Sequence, residues 1–504
     1  MKTRISLLLI IVGLLAASCK DFLDVNTDPN NPTEVSPDLV LPVGLNYTAV
    51  YEQQDRGLNH LGNMMMFNFG ESNGFSWYDQ EFKYNATSTF YDQMFDDAYS
   101  RSLKQYNILV NRPEGYYKAI GMIMEAYHFQ ILVDLYGDIP YSEALERGKK
   151  SNPKYDKGEE VYNDLLTKLS TAIATIDSTS NAESSVKVGD DDTVFGGDMS
   201  KWKAFANTLK IRILTRLSDT KPASFINDEL AKISNSGAGY ITDDVTINPG
   251  YEKEQEGKQN PYWNQLGVNA SGTETLSYKA TCATQFVINF FQNTNDTTRL
   301  GAIFQEDPSG YKGINQGQPN NSDDQTPDYV SNLKLGGGVL KSATMGSAIF
   351  TLAEHELNLA ELAFKGFNVS GSAQSHYEAG IQASFDYLGA SGASSYYTNG
   401  KENVDWNNSS NKMDAIMTQK WLATMGITAE QAWFDYNRTG YPDAKPVGVS
   451  TGPTAPTGFP LSAQAGSNKD RPVRLHYPAS EITRNGSNVP DQPDPFTQKI
   501  FWAQ

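Results

Sequence analysis

Apolar residues recur at three- and four-residue steps in several stretches of the chain, which is the pattern of an amphipathic helix. The clearest stretch begins at Tyr116, carries Ile120 and Leu135 on one stripe, and is ended by Gly137. Further stretches with this periodicity lie at residues 159–176, 200–218, 223–233, 347–365, 373–388, 413–425 and 429–437. We therefore predict four consecutive pairs of helices, with Ser200 as the N-cap of the third helix.

The predicted helix pairs each cover roughly 35–60 residues, which is close to the length of the repeat units in helical solenoids. Between them lie long stretches without helical periodicity, at residues 59–87, 241–279, 305–343 and 440–474. Loops of that length inside a compact domain usually carry function. The sequence therefore predicts an all-α fold, in which a tetratricopeptide-like helical-repeat scaffold carries long irregular loop inserts.

The start of the chain has the three parts of a secretory signal: basic Lys2 and Arg4, an apolar run at 7–17, and small residues before Cys19. The run is too short for a permanent membrane helix, which needs about 20 residues. The letters LAASC at 15–19 resemble the lipobox of bacterial lipoproteins, which implies cleavage before Cys19 and acylation of that residue. We predict a signal peptide at 1–18, a lipidated tether at 19–35 and a single α-helical domain at 36–504.

The composition excludes one class of partner and one kind of cross-link. A net charge of −18 and a pI near 4.8 exclude nucleic acid, because phosphates are bound by basic faces. Cys19 and Cys282 are the only cysteines, so acylation of Cys19 leaves no internal disulfide, and Cys282 is predicted to be buried. Aromatic residues make up 11% of the chain, and their clustering in the irregular stretches indicates a ligand-binding surface.

Several segments, taken in their order along the chain, resemble the SusD/RagB family of nutrient-binding outer-membrane lipoproteins, in particular its SusD-like subgroup. They are CKDFLDVN at 19–26, DLYGDIPY at 134–141, WKAFANTLKIR at 202–212, AELAFKG at 360–366, WFDYNRTGYP at 433–442 and RLHYPASE at 474–481. The resemblance implies a tetratricopeptide-like scaffold, an oligosaccharide or peptide ligand, and delivery to a TonB-dependent transporter of the SusC type. It also implies an outer-membrane location, with the protein held by its lipid anchor and exposed at the cell surface.

The matching segments belong to the scaffold, so no binding residue is carried over from the family, and the site is predicted from the loops themselves. Oligosaccharide capture needs flat apolar ring faces with amides or carboxylates nearby for the sugar hydroxyls. Two irregular stretches combine both, one around residue 75 and one around residue 262. The alternative is that Trp77 and Trp263 only fasten their loops to the scaffold. The predicted ligand-binding residues are Asn73, Phe75, Trp77, Tyr78, Asp79, Tyr262, Trp263 and Tyr311.

A surface glycoside hydrolase is an alternative function, and it would need converging carboxylates or an activated nucleophile. The five histidines are scattered, and the letters HELNL at 355–359 lack the second histidine of a zinc-protease motif. The acidic run at 190–192 lacks the alternating ligands of a calcium loop and is predicted to be solvated. We therefore predict no catalytic residue, no metal and no cofactor. An adhesion protein of the cell surface is a third possibility.

Overall fold

The computed structural model describes residues 35–503, apart from 113–114, 147–148, 180–186, 319–322, 449–453, 456–457 and 469. The predicted signal peptide, Cys19 and nearly all of the predicted tether lie outside the described residues. In the part of the chain that is described, no helix combines the length and the apolar character that crossing a membrane requires.

Helices account for most of the regular structure. In chain order the α-helices are α1 (Pro37–Gln53), α2 (Leu58–Met65), α3 (Asp79–Phe82), α4 (Gln93–Asp97), α5 (Lys104–Val110), α6 (Tyr116–Tyr136), α7 (Gly158–Thr179), α8 (Met199–Leu217), α9 (Ala223–Asn235), α10 (Pro261–Leu266), α11 (Leu276–Ala280), α12 (Gln285–Asn293), α13 (Thr297–Ile303), α14 (Leu352–Phe364), α15 (Ala373–Leu388), α16 (Ala393–Tyr397), α17 (Lys412–Thr424), α18 (Glu430–Thr439) and α19 (Ala479–Asn485). A π-helical turn, Ala98–Leu103, joins α4 to α5, and a 3₁₀ turn covers Asp323–Gln325.

The strands are short and form three separate antiparallel pairs. The pairs are β1 (Phe69–Glu71) with β5 (Thr281–Ala283), β2 (Ile139–Pro140) with β3 (Tyr155–Asp156), and β4 (Val245–Ile247) with β6 (Ser347–Phe350). None of them makes a layer of its own, and the all-α, tetratricopeptide-like prediction is confirmed. Its four helix pairs are α6 with α7, α8 with α9, α14 with α15, and α17 with α18.

Two details of the predicted helices are wrong. The stretch at 347–365 is not one helix, because Ser347–Phe350 forms β6 and the helix begins only after Thr351, whose side chain caps it. All four residues of β6 are buried, and a fully buried apolar run has no periodicity that separates strand from helix. The N-cap of α8 is Asp198, which accepts hydrogen bonds from the backbone N–H groups of Ser200 and Lys201 at 2.9 and 3.3 Å.

A buried network of ion pairs joins helices from different pairs. Asp435 on α18 binds Arg216 on α8 at 2.8 Å, Arg438 at 3.0 Å and Lys420 on α17 at 2.5 Å. Arg216 also binds Asp134 on α6 at 3.0 Å. Because charges buried this deeply are strongly unfavourable unless they are paired, the network specifies how these helices pack against one another.

A second buried cluster holds three carboxylates around one guanidinium. Arg212 on α8 binds both carboxylate oxygens of Glu354 on α14, at 2.7 and 2.8 Å. Glu52 on α1 accepts a hydrogen bond from the Tyr127 hydroxyl, and no ion pair with another described residue engages Glu52 or Glu430. Burial raises the pKa of Glu430 to about 7, and burial together with Glu430 raises the pKa of Glu52. A proton on this pair therefore stabilises the fold near neutral pH.

This cluster predicts a pH-dependent effect of Glu430→Gln. The folded pKa near 7 lies above the ordinary value of 4.5, so the stabilisation by the bound proton is complete below about pH 4.5 and is lost as the pH rises through 7. Glutamine has no such proton to lose. The unfolding free energy of the variant minus that of the native protein should therefore increase by roughly 2–3 kcal/mol from pH 5 to pH 8. Urea unfolding of both proteins at pH 5, 6.5 and 8 measures this difference, and a constant difference would contradict the argument.

Candidate functional site

A short antiparallel ladder brings distant loop segments of the chain together. β1 pairs with β5, with Gly70 opposite Cys282. Isolated bridges then join Cys282 to Asn332 and Thr284 to Ile314. The segments that continue from these residues, at 72–79, 274–280, 311–313 and 323–332, are therefore held side by side on one support.

The first of these segments is fixed by hydrogen bonds of its backbone. The Glu71 carboxylate accepts from the N–H groups of Trp77 at 2.5 Å and Tyr78 at 3.3 Å. The Asn73 N–H donates to the Gln325 carbonyl at 2.8 Å, which ties the segment to the loop beside it. Burial raises the pKa of Glu71, while the two N–H donors act in the opposite direction. The segment thus has a defined conformation without regular secondary structure.

This conformation exposes an aromatic ring. Trp77 is 41% exposed, and the half-buried Phe75 meets it edge to face, with 5.1 Å between ring centroids and 80° between planes. Asn73 is half-buried, and the exposed Asp79 binds Lys83 at 2.7 Å. The indole is therefore partly open to solvent and supported by a second ring, and an amide and a carboxylate lie within four residues of it in the sequence, a combination that suits sugars.

A cleft of about 320 Å³ lies beside this segment. The two are joined where the Ser72 hydroxyl donates to the Lys279 carbonyl at 2.6 Å. The half-exposed ring of Tyr278 lines the cleft, and burial raises the pKa of its hydroxyl to about 12. Tyr329, 52% exposed, lies in the neighbouring loop. Sequence reasoning did not select Tyr278, although it lies in the same aromatic-containing stretch as Trp263. Carboxyl and amide groups also line the cleft, from Glu274, Gln305, Glu306, Asp307, Asp328 and Asn332.

Three of the predicted site residues have no open ring face in this structure. Tyr78 is 4% exposed, and its hydroxyl lies 2.7 Å from the hydroxyl of Thr281. Tyr262 and Trp263 lie on α10 at 3% and 8% exposure, and the Trp263 indole N–H donates to the Val268 carbonyl at 3.0 Å. These rings pack into the body of the protein because α10 turns them inward. Trp263 thus fastens its segment to the scaffold, which is the alternative considered for it.

Tyr311 has an intermediate position. Its ring is half-buried, and its hydroxyl lies against Gly301 on α13. The next residue, Lys312, connects this loop to the site, because its N–H and carbonyl bond to the side chain and backbone of Ser331 at 3.1 and 2.8 Å. The aromatic surface consists of Phe75, Trp77, Tyr278 and Tyr329. Tyr311 lies at its border and is kept as a candidate.

Two side chains of types that catalysis or metal binding uses, Cys282 and Asp192, are buried in the body of the protein. Cys282 is buried, as predicted, and burial raises the pKa of its thiol. Asp192 was predicted to lie in a solvated acidic loop, but it is buried and accepts from the Trp202 indole N–H at 2.7 Å. Within the described part of the chain, no three side chains of the metal-binding types come together.

Comparison with known proteins places the chain in a family. A family model described as SusD-like, starch-binding and associating with the outer membrane matches residues 29–478. No curated protein matches the chain significantly. The match covers α1 to α18 and all the loop segments that form the aromatic surface.

Solved structures share this fold. A SusD homologue from Bacteroides uniformis is 26% identical, with a TM-score of 0.71 over 92% of this chain and 99% of its own. A chitin-binding SusD homologue from Flavobacterium johnsoniae is 22% identical, with a TM-score of 0.73 over 92% of this chain and 98% of its own. A SusD homologue from Bacteroides thetaiotaomicron is 21% identical, with a TM-score of 0.70 over 93% and 99%. At these identities the last two matches establish similarity of fold.

Proposed function

This chain belongs to the SusD-like family, and from that premise we propose that it captures oligosaccharides at the cell surface for uptake. The binding surface consists of the Trp77 ring with its support Phe75, the neighbouring polar groups of Asn73 and Asp79, and the cleft lined by Tyr278. Tyr329 and Tyr311 extend the aromatic area at its edges. The protein binds its ligand without changing it chemically.

The observation that carries this proposal is the exposure of Trp77. The Trp77 indole is 41% exposed, and the hydrogen-bonded loop that carries it keeps it exposed. A bound ligand would cover this apolar surface and remove it from water. A sugar ring stacks on such a face through its C–H groups, while its hydroxyls need donors and acceptors at the rim. The carboxyl and amide groups around the 320 Å³ cleft supply those. The chitin-binding relative of the same fold supports a carbohydrate ligand.

The route of the ligand after capture is also part of the proposal. We propose that the protein is anchored in the outer membrane through acylated Cys19 and delivers its ligand to a TonB-dependent transporter of the SusC type. The family description supports the association with the outer membrane. A lipid anchor would leave the helical scaffold and the aromatic surface free to meet ligand and transporter.

Trp77→Ala tests the binding surface. The variant should bind maltoheptaose or chitohexaose more weakly by about 1–3 kcal/mol, because the stacking face is lost while the hydrogen-bonding groups remain. Isothermal titration calorimetry of the domain from residue 35 onward measures the affinity. The melting temperature should stay the same, since an exposed ring contributes little to the core.

Phe364→Ala is the matched control for this experiment. Phe364 is also an aromatic residue with 44% exposure, but it lies on the scaffold helix α14. Its removal should leave both the affinity and the melting temperature unchanged. If Trp77→Ala binds both glycans as the native protein does, the proposed surface is wrong. If peptides bind and neither glycan does, the ligand class is wrong.

A further inference from the structure

A second cleft is lined by none of the residues of the Trp77 loop, 72–79. It has a volume of about 710 Å³ and is formed by α13, the turn at 334–341 and the end of α15. Cavities of roughly 300–1,000 Å³ are typical of small-molecule sites. None of the segments that carry Trp77, Phe75 or Tyr278 contributes to it, so it is a separate candidate site.

Two lysines from the same turn line this cleft. The Lys334 ammonium donates to the Gly301 carbonyl at 2.9 Å. The Lys341 ammonium lies 3.9 Å from the centroid of the Tyr387 ring, a cation–π contact that holds it in place. Neither ammonium forms an ion pair with any of the described residues. Each therefore has N–H donors left for a ligand.

Two carboxylates in this region, Asp386 and Asp244, each accept a hydrogen bond from an uncharged donor and form no ion pair with either lysine within the described residues. Asp386 lines the cleft, and its Oδ1 accepts from the Gln382 side chain at 2.9 Å. The charge of Asp244 acts on Lys341, and the Asp244 Oδ1 accepts from the Leu352 N–H at 2.9 Å. Desolvation lowers the pKa of Lys341, although the charge of Asp244 acts in the opposite direction. The Lys341 side chain is exposed where it lines the cleft, so its ammonium can meet an anion that binds there.

The remaining walls of the cleft suit a hydroxylated ligand. The hydroxyls of Thr297, Thr298 and Ser391 lie along one side, and Thr298 donates to the Ser391 carbonyl at 2.9 Å. Gly336 has a positive φ of 72°, and no atom lies within 4 Å of the position that a Cβ would take. The turn thus presents no side chain at that point, which leaves room for a ring beside the two ammonium groups.

We propose that this cleft binds an anionic substituent on a glycan, a uronate carboxylate or a sulfate ester, with Lys334 and Lys341 as its charge partners. The inference rests on the proposed glycan-binding function for the sugar part of the ligand, and it adds a second site and a charge class to that function. Ammonium groups form short, charge-assisted hydrogen bonds with either anion. Neutral glycans should not need this cleft.

The test compares charged and neutral forms of the same sugar by calorimetry. Tetragalacturonate should bind the native protein at least about tenfold more tightly than its fully methyl-esterified form, which has no charge. Lys341→Gln and Lys334→Gln should each weaken binding of tetragalacturonate by about fivefold or more, and added salt should weaken it further. A 6-sulfated galactose tetramer and its unsulfated form make the second arm, which tells whether carboxylate or sulfate is preferred.

Lys258→Gln is the control, since Lys258 is a surface lysine paired with Glu252 outside the cleft. Equal affinity for the charged and neutral forms in both arms would overturn the inference, and so would native affinity in both lysine variants. A wrong assignment of the Trp77 surface can be distinguished from a wrong assignment of this cleft. Trp77→Ala should weaken binding of neutral maltoheptaose or chitohexaose and leave the lysine-dependent binding of tetragalacturonate intact, so each site is measured with its own probe.

Discussion

Asp435→Ala should lower the free energy of unfolding by about 3–5 kcal/mol, the loss expected when one partner of a buried ionic network is removed. The Asp435 carboxylate lies between the cations of Lys420, Arg216 and Arg438, at 2.5, 2.8 and 3.0 Å. The alanine variant would leave these three charges without their shared counter-ion, in an interior that water does not reach. Urea and thermal unfolding monitored by circular dichroism measure the loss.

The charge state of Asp435 supports the size of this effect. Burial alone would raise its pKa, but the charges of Lys420, Arg216 and Arg438 outweigh burial and hold the pKa well below its usual range. The carboxylate is therefore ionised at every pH at which the protein is studied. The network also holds α18 against α8 and α17. Removing Asp435 should therefore destabilise the whole domain in one cooperative unfolding transition, and the effect should not be limited to one helix end.

Two further variants separate charge from shape. Asp435→Asn keeps the volume and removes the charge, so it should lose nearly as much stability as Asp435→Ala if the ionic network is what matters. Asp79→Ala removes a carboxylate that is 55% exposed and pairs with Lys83 on the surface, and it should change the unfolding free energy by less than about 1 kcal/mol. A loss as small for Asp435→Ala as for Asp79→Ala would show that the network is not essential.

The helices of the scaffold could be predicted where local signals and packing agree. α15 begins and ends at the predicted residues, because Ser372 forms a capping box with Ser375 and Gly389 ends the helix in the left-handed conformation. α1 was not predicted, although it is long. Its buried face carries Thr48, whose hydroxyl bonds to Tyr106 and His128, and Glu52, which accepts from Tyr127, and these partners lie on distant helices. A single sequence cannot reveal such partners, so the apolar stripe looks interrupted.

The candidate site was harder to predict, because ring burial depends on tertiary contacts. Trp77 and Trp263 lie in polar stretches that look alike, yet one ring is exposed and the other is buried. One local signal did distinguish them: Asn260 followed by proline is a helix start, and the Asn260 side chain caps α10. The exposure of Trp77 depends on Glu71, which binds the backbone of the loop. The cleft between α13 and α15 is formed by segments about 40 to 90 residues apart in the sequence, so the hydrophobic periodicity of a single segment cannot predict it.

Cys19→Ala should move the protein from the membrane pellet to the soluble fraction, a change of more than about 100-fold in the ratio of the two. Each buried methylene of an acyl chain contributes about 0.8 kcal/mol, and stable anchoring needs more than one chain. The acylated cysteine of a lipoprotein would supply several chains at one residue, so the loss of that residue removes all of them at once. Fractionation of cells after labelling with a palmitate analogue measures location and acylation together.

Cys282→Ala is the matched control, because it removes the other cysteine of the chain. Cys282 is buried beneath the aromatic surface, where Gly70 and Asn332 face it, and burial raises the pKa of its thiol. A thiol in that position is inaccessible to an acyltransferase, so this variant should keep both its label and its place in the pellet. Retention of Cys19→Ala in the pellet, or a native protein without label, would contradict the anchor. If the released and the anchored forms bind ligand with equal affinity, the anchor determines where the binding surface lies and does not alter its structure.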